Sequence, residues 1–158
     1  MRPSSDSPGS IIVQANLIGT LLFAISAIGA ALTYGGTERT IAAAVALGLF
    51  FAGIVAFAWS FWNAVQRSRT ELVAVTQLYL LLGSVAPSSV RRPMLAALAV
   101  QFVVGLATAI GRANAPDGSP GTSLALGVLV PLFGFGLNGL WAAFHGEYRE
   151  RTDPLRQE

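Results

Sequence analysis

Three side-chain amides, apart from Gln14 and Asn63 near the interface, lie within stretches of the sequence that are otherwise almost entirely apolar: Asn16, Gln101 and Asn138. An amide in hydrocarbon needs hydrogen-bond partners, which neighbouring helices commonly supply. Two interpretations follow: the amides hold helices together, or they line a polar vestibule through which a solute moves. Counted from the helix ends, Gln101 and Asn138 share a similar depth and Asn16 is shallower, so a continuous pore is not predicted.

His145 and Glu147 are the other residues whose spacing could serve metal binding or acid–base chemistry. No second His and no Cys accompany them, and the apolar stretches contain no Asp, Glu, Lys or Arg. The sequence also lacks the glycine-rich phosphate-binding and nucleophile motifs of common enzymes. We therefore expect a protein that is not an enzyme, with no metal site and no cofactor, in which His145 is an interfacial anchor.

The composition indicates that these residues lie in a membrane protein. The 158 residues are 53% hydrophobic and only 11% charged, whereas soluble domains are about one-quarter charged. Long uncharged runs predict an all-α integral membrane protein, a four-transmembrane-helix bundle. The predicted spans cover 11–34, 41–65, 93–110 and 123–145 of a domain over 11–145, after a disordered N-terminal tail at 1–10. A cleaved signal peptide is the alternative for the first run, but that run is too long and no convincing cleavage site follows.

The polar segment between the second and third spans carries four arginines: Arg67, Arg69, Arg91 and Arg92. Eight of the ten arginines lie in this segment or in the two tails, and only Arg39 and Arg112 lie in the opposite loops. The positive-inside rule therefore predicts that both termini, including the tail at 146–158, are cytoplasmic. We expect the four arginines to contact anionic lipid head groups or an acidic protein partner, and we expect no nucleic-acid binding.

Residues 70–83 within that segment are mostly apolar but too few to cross a bilayer. They predict a short interfacial helix, with a re-entrant hairpin or a partner-binding helix as alternatives. Pro93 is expected in the first turn of the third span, and Pro131 with its neighbouring glycines is expected to kink the fourth. Weak similarity between the first and second helix pairs leaves an internal repeat open.

Small residues recur at every fourth position of the second span. Residues four apart share a helix face, so these positions predict a surface that packs against another helix of the protein or of a second copy. The predicted packing face consists of Ala44, Gly48, Ala52, Ala56 and Ser60. Together these features favour a noncatalytic scaffold or accessory subunit of a membrane complex, and the alternative is a small transporter or channel with a vestibule lined by Asn16, Gln101 and Asn138.

Overall fold

The computed structural model of the chain describes residues 9–33, 35–114, 118 and 122–151. Its helices are α1 (Ser10–Thr33), α2 (Gly36–Arg67), α3 (Val75–Leu80), α4 (Ser88–Gly111), a 3-10 helix (Ser123–Leu129) and α5 (Pro131–His145). Four helical segments are long and apolar enough to cross a membrane, the fourth being the 3-10 helix together with α5. The predicted all-α bundle of four membrane-spanning helices is confirmed. The prediction of a disordered tail over 1–10 falls almost wholly outside the described residues, and Ser10 already belongs to α1.

The fourth span is the centre of the bundle. In the most apolar 18-residue stretch of each span, 56% of the fourth span is buried, compared with 22% to 33% of the other three. α5 packs against α2 and α3, while α1 packs against α4. Glycines allow these close approaches, since a Cβ atom at Gly53 would lie 2.5 Å from the backbone nitrogen of Phe133, and one at Gly105 would lie 2.6 Å from the Gly127 carbonyl oxygen.

The buried face of α2 differs from the predicted one. Ala56 and Ser60 are buried, but Ala44, Gly48 and Ala52 are exposed. A helix has 3.6 residues per turn, so a strict four-residue series drifts by about 40° at each step and leaves the face on which it began. The buried residues follow steps of four, seven, three, four and four instead, which keeps them on one face: Ala42, Ala46, Gly53, Ala56, Ser60 and Ala64. Contact of Ala44, Gly48 and Ala52 with a second copy stays a prediction.

Of the two prolines in the later spans, Pro93 differs from expectation and Pro131 interrupts its span. α4 begins at Ser88 with Pro87 as its N-cap, so Pro93 lies in the second turn and not in the first. Pro93 cannot donate to the Ser89 carbonyl, but Ser89 is exposed and its carbonyl can bond to water. At Pro131 the chain changes from the 3-10 helix to α5, and Pro131 is the first residue of α5. The fourth span is thus interrupted at the proline that the sequence singled out, by a change of helix type.

Both ends of the described chain and the segment between α2 and α4 meet at one end of the bundle, which we call the loop end. Gly9 lies against Trp141 and His145 there. A two-residue strand β1 (Glu71–Leu72) pairs antiparallel with β2 (Arg149–Glu150). Part of the predicted interfacial helix over 70–83 is therefore a strand, and the helix in this segment consists only of the six residues of α3. Leu81, in the left-handed conformation with φ 51°, ends α3.

Candidate functional site

The first polar cluster lies inside the bundle and joins three helices. Gln101 of α4 donates from Nε2 to Asn16 Oδ1 at 3.1 Å and to Thr20 Oγ1 at 2.7 Å, both on α1. Thr20 in turn donates to the Asn16 carbonyl at 2.7 Å. Asn16 and Gln101 have no exposed surface at all. We call Asn16, Thr20, Gln101 and the Gly134 amide the glutamine cluster.

The Gly134 amide belongs to the glutamine cluster because α5 begins inside the bundle. The first four N–H positions of a helix lack partners within it, and here Pro131 has no N–H while Phe133 donates to the Val130 carbonyl at 2.8 Å. Gly134 donates to Gln101 Oε1 at 3.1 Å. A Cβ atom at residue 134 would lie 2.5 Å from that oxygen, so glycine makes this approach possible. Gln101 thus caps α5 from a neighbouring helix.

Asn138 lies one turn beyond Gly134 but has a different partner. Its Nδ2 donates to the Tyr79 carbonyl at 3.0 Å, and Tyr79 is in the last turn of α3, where carbonyls lack helical partners. The Tyr79 ring stacks on Phe57 with 4.3 Å between centroids, and its hydroxyl donates to the Phe57 carbonyl at 3.5 Å. Burial raises the pKa of Tyr79, and a hydrogen bond with Ser60 opposes that rise. Asn138 therefore fixes α3 to the bundle.

The three amides predicted from the sequence are thus divided between two clusters. Asn16 and Gln101 are bonded to each other, whereas Asn138 is bonded to the α3 backbone. Among the described residues, Asn16 Nδ2 and Asn138 Oδ1 are buried without a hydrogen-bond partner. Each asparagine therefore uses only one of its two polar atoms. A separate void in the bundle, whose lining includes Phe23 and Gly127, is too small to hold a water molecule.

Sequence reasoning did not identify Thr20, Gly134 or Tyr79. Thr20 had a usable signal, since it lies four residues after Asn16 and so shares its helix face. Gly134 also had one, because it falls among the first N–H positions after Pro131, which need partners from outside the helix. Tyr79 contributes its backbone carbonyl, which every residue has, so the residue type does not indicate this role.

Arg67 has internal partners on every nitrogen of its guanidinium. It pairs with Glu71 through Nε at 2.7 Å and Nη2 at 3.1 Å. It also donates to the carbonyls of Ala143 and Gly146, each at 3.0 Å, and lies over the Tyr148 ring at 4.8 Å from the centroid. Cations at a helix C-terminus interact favourably with the terminal carbonyls. Arg67 therefore joins the end of α2 to the end of α5.

The other three predicted arginines lie at the same end of the bundle. Arg69 and Arg92 are exposed, and Arg91 is half-buried and donates to the Gly83 carbonyl at 3.0 Å. Their contact with lipid head groups or with an acidic partner stays a prediction. At the opposite end, Arg112 donates from Nε to the Ala31 carbonyl at 2.8 Å, so the end of α4 caps the end of α1 as Arg67 caps α5.

His145 and Glu147 do not form part of a larger constellation in the structure. The His145 ring lies 5.8 Å from the Trp141 ring, and both His145 and Glu147 are exposed. In the part of the chain that the structure describes, no group of three or more His, Cys, Asp or Glu residues is placed to hold a metal ion.

Comparison of the chain with protein-family models, with curated proteins and with solved structures found no match.

Proposed function

We propose that this protein is a noncatalytic membrane subunit that scaffolds or regulates a partner within the bilayer. One observation carries the proposal: the polar side chains inside the bundle bond to its own helices. The glutamine cluster links α1, α4 and α5, and Asn138 links α5 to α3. These bonds give structural roles to the three residues that would otherwise be the best candidates for a transport path.

The outer surface of the bundle supports the same proposal. α2 presents exposed aromatic residues near the loop end, Trp59, Phe61 and Trp62, and exposed small residues, Ala44, Gly48 and Ala52, nearer its start. Exposed small residues let a second helix approach closely in a membrane, and exposed Trp residues lie favourably at the lipid–water interface. α2 is therefore the surface on which we place a partner helix.

The orientation that goes with this role places the loop end in the cytoplasm. The arginine distribution of the sequence supports it, because the tails and the central segment carry eight of ten arginines. The chain contains no cysteine, so single-cysteine variants can be labelled without background. In intact cells, an impermeant thiol reagent should modify a cysteine at Thr37 and spare one at Ser84. The opposite pattern would reverse the orientation.

The scaffold role is tested by site-specific photo-crosslinking in native membranes, followed by purification. A crosslinking residue at Gly48, which is open, should capture one protein species in stoichiometric yield, and the same residue at buried Ala46 serves as the matched control. The purified protein in liposomes should show no flux of ions or small solutes. Equal crosslinking from both positions, or only lipid adducts from Gly48, would contradict the proposal.

A second candidate function, a small transporter or channel, is favoured by one specific observation. The fourth span is broken at Pro131, so the N-terminus of α5 lies inside the bundle beside two buried amides that each have a free polar atom among the described residues. Broken spans of this kind form solute sites in transporters. Flux in liposomes that Gln101→Leu or Asn138→Leu abolishes, while the fold persists, would rank this function first.

A further inference from the structure

A polar groove of about 720 Å³ opens at the loop end, outside the spans. It lies between the segment after α2, the start of α3 and the residues that follow α5. The residues of its lining that can donate hydrogen bonds from their side chains are Ser68, Thr76, Gln77, Ser84, Arg149 and Arg151. None of the four arginines predicted from the sequence lines it.

The groove has a fixed wall because β2 is held at both ends. Glu147 donates its backbone N–H to the Val85 carbonyl at 3.2 Å, and Arg151 donates to the Thr70 carbonyl at 2.8 Å. Successive side chains of a strand point to opposite faces. Glu147, Arg149 and Arg151 accordingly line the groove, whereas Tyr148 turns the other way and lies under Arg67.

The groove is positively charged. Arg149 and Arg151 are exposed, and neither makes an ion pair with a residue that the structure describes. Glu147 is the one acidic residue in the lining, so two guanidinium groups face a single carboxylate. The hydroxyl groups of Thr76 and Ser84 add further hydrogen-bond donors, whereas the Ser68 hydroxyl already donates to the Val65 carbonyl at 2.7 Å. Guanidinium groups bind phosphate oxygens in two-point geometry, so this set of donors matches a phosphate group.

The position of the groove selects the source of that phosphate. Ser68 follows Trp62 by six residues, about 9 Å along a helix, and exposed Trp residues mark the edge of the hydrocarbon. Leu72 is an exposed apolar residue of the lining, and two further exposed apolar residues, Val75 and Leu82, are next in the chain to the lining residues Thr76 and Gly83. Such residues partition into the membrane interface and would hold the groove against the head-group layer. We propose that the groove binds the phosphate of an anionic phospholipid head group through Arg149 and Arg151.

The test uses the full-length protein in a neutral detergent, which removes the surface potential of an anionic bilayer. A fluorescent phosphatidylglycerol is titrated against the wild-type chain, against Arg149→Gln/Arg151→Gln, and against Arg69→Gln/Arg92→Gln, a matched control that removes the same charge. Arg69 and Arg92 are exposed arginines at the same end that do not line the groove, and the head-group contact expected of them needs the surface of an anionic bilayer, which the detergent lacks. Far-ultraviolet circular dichroism verifies the helical fold of each variant.

We expect saturable binding of one lipid per chain, weakened about 25-fold in Arg149→Gln/Arg151→Gln, or about fivefold for each exposed ion pair lost, and changed less than about twofold in Arg69→Gln/Arg92→Gln. Phosphatidylcholine should not compete, and soluble glycerol phosphate should compete only weakly because it lacks the acyl chains that contact Leu72 and Val75. Equal losses in the two double variants would overturn the proposal, because binding would then follow general surface charge. Displacement of the lipid by a short acidic peptide but not by glycerol phosphate would assign the groove to a protein partner and would also overturn it.

Discussion

Replacing Gln101 by methionine should destabilise the bundle, because methionine keeps the length of the side chain and removes its hydrogen bonds. Gln101 makes three bonds, to Asn16, to Thr20 and to the Gly134 amide. Interhelical hydrogen bonds in membrane proteins contribute about 0.6 kcal/mol each on average, which gives about 2 kcal/mol for the three together. Leaving the Gly134 N–H buried and unpaired acts in the same direction.

The measurement is equilibrium unfolding of the purified protein in mixed micelles, with helicity as the signal. Val103→Met is the matched control, since Val103 lies on the same helix with 65% of its surface exposed. That substitution should change the free energy of unfolding by less than about 0.5 kcal/mol. The expected difference between the two variants is therefore about 1.5 to 2 kcal/mol.

A double-mutant cycle with Asn16→Ala separates the Asn16–Gln101 bond from the others. The coupling free energy between the two positions should be about 0.6 kcal/mol. If Gln101→Met is as stable as Val103→Met, the glutamine cluster does not hold the helices together, and the argument for the scaffold role loses its main support. A zero coupling with a destabilised single variant would leave the Gly134 and Thr20 bonds as the source of the effect and would refute the contribution of Asn16.

Three further predictions concern other parts of the molecule. Gly53→Ala should lower the free energy of unfolding by about 1–3 kcal/mol, because the added methyl group meets the Phe133 backbone, whereas Gly48→Ala should cause no loss; chemical denaturation that ranks the two glycines equally would contradict the packing of α2 on α5. Arg67→Gln should lower the free energy of unfolding by about 2 kcal/mol, because the bonds to Glu71 and to the end of α5 are lost. Arg69→Gln should lower it by less than about 0.5 kcal/mol. Equal stabilities of the two variants would mean that the Arg67 contacts do not stabilise the protein. Burial raises the pKa of Tyr148 from 10.0 to about 12, so the folded state holds this proton more tightly and the free energy of unfolding should fall as the pH rises from 10 to 12. Tyr148→Phe should remove that part of the fall without loss of stability at neutral pH, since the hydroxyl has no hydrogen-bond partner among the described residues; an unchanged alkaline profile would assign the titration to another group.

The spans were predictable from the sequence because hydrocarbon excludes charge, and uncharged runs of sufficient length are visible in the residue types alone. The buried face of α2 was not predictable in the same way, because small residues are common in that helix and several of them satisfy a four-residue spacing. Only the period of 3.6 residues separates the two sets: Ala42, Ala46 and Gly53 are buried, and Ala44, Gly48 and Ala52 are not.

The loop end was less predictable because its contacts join distant residues. Arg67 and Gly146 are 79 positions apart, and β1 pairs with residues near the end of the chain. Residues 70–83 have a helical composition, but their first residues pair as a strand with β2, and nothing local in the sequence indicates that partner. Of the candidate site, Asn16 and Gln101 were identified by type, while Gly134 and Tyr79 contribute backbone atoms whose roles depend on where α5 and α3 begin and end.

The hydrogen bond from Arg67 to the Gly146 carbonyl limits the order in which parts of the protein can fold during synthesis. The ribosome adds about 5–20 residues per second, so the 79 positions between them correspond to about 4–16 s of synthesis. When Arg67 is made only the first two spans exist, and the carbonyls that Arg67 will cap and the strand that β1 will join are still to be synthesised. The loop end can therefore close only after the fourth span has been made, because Gly146 and β2 both follow that span in the chain.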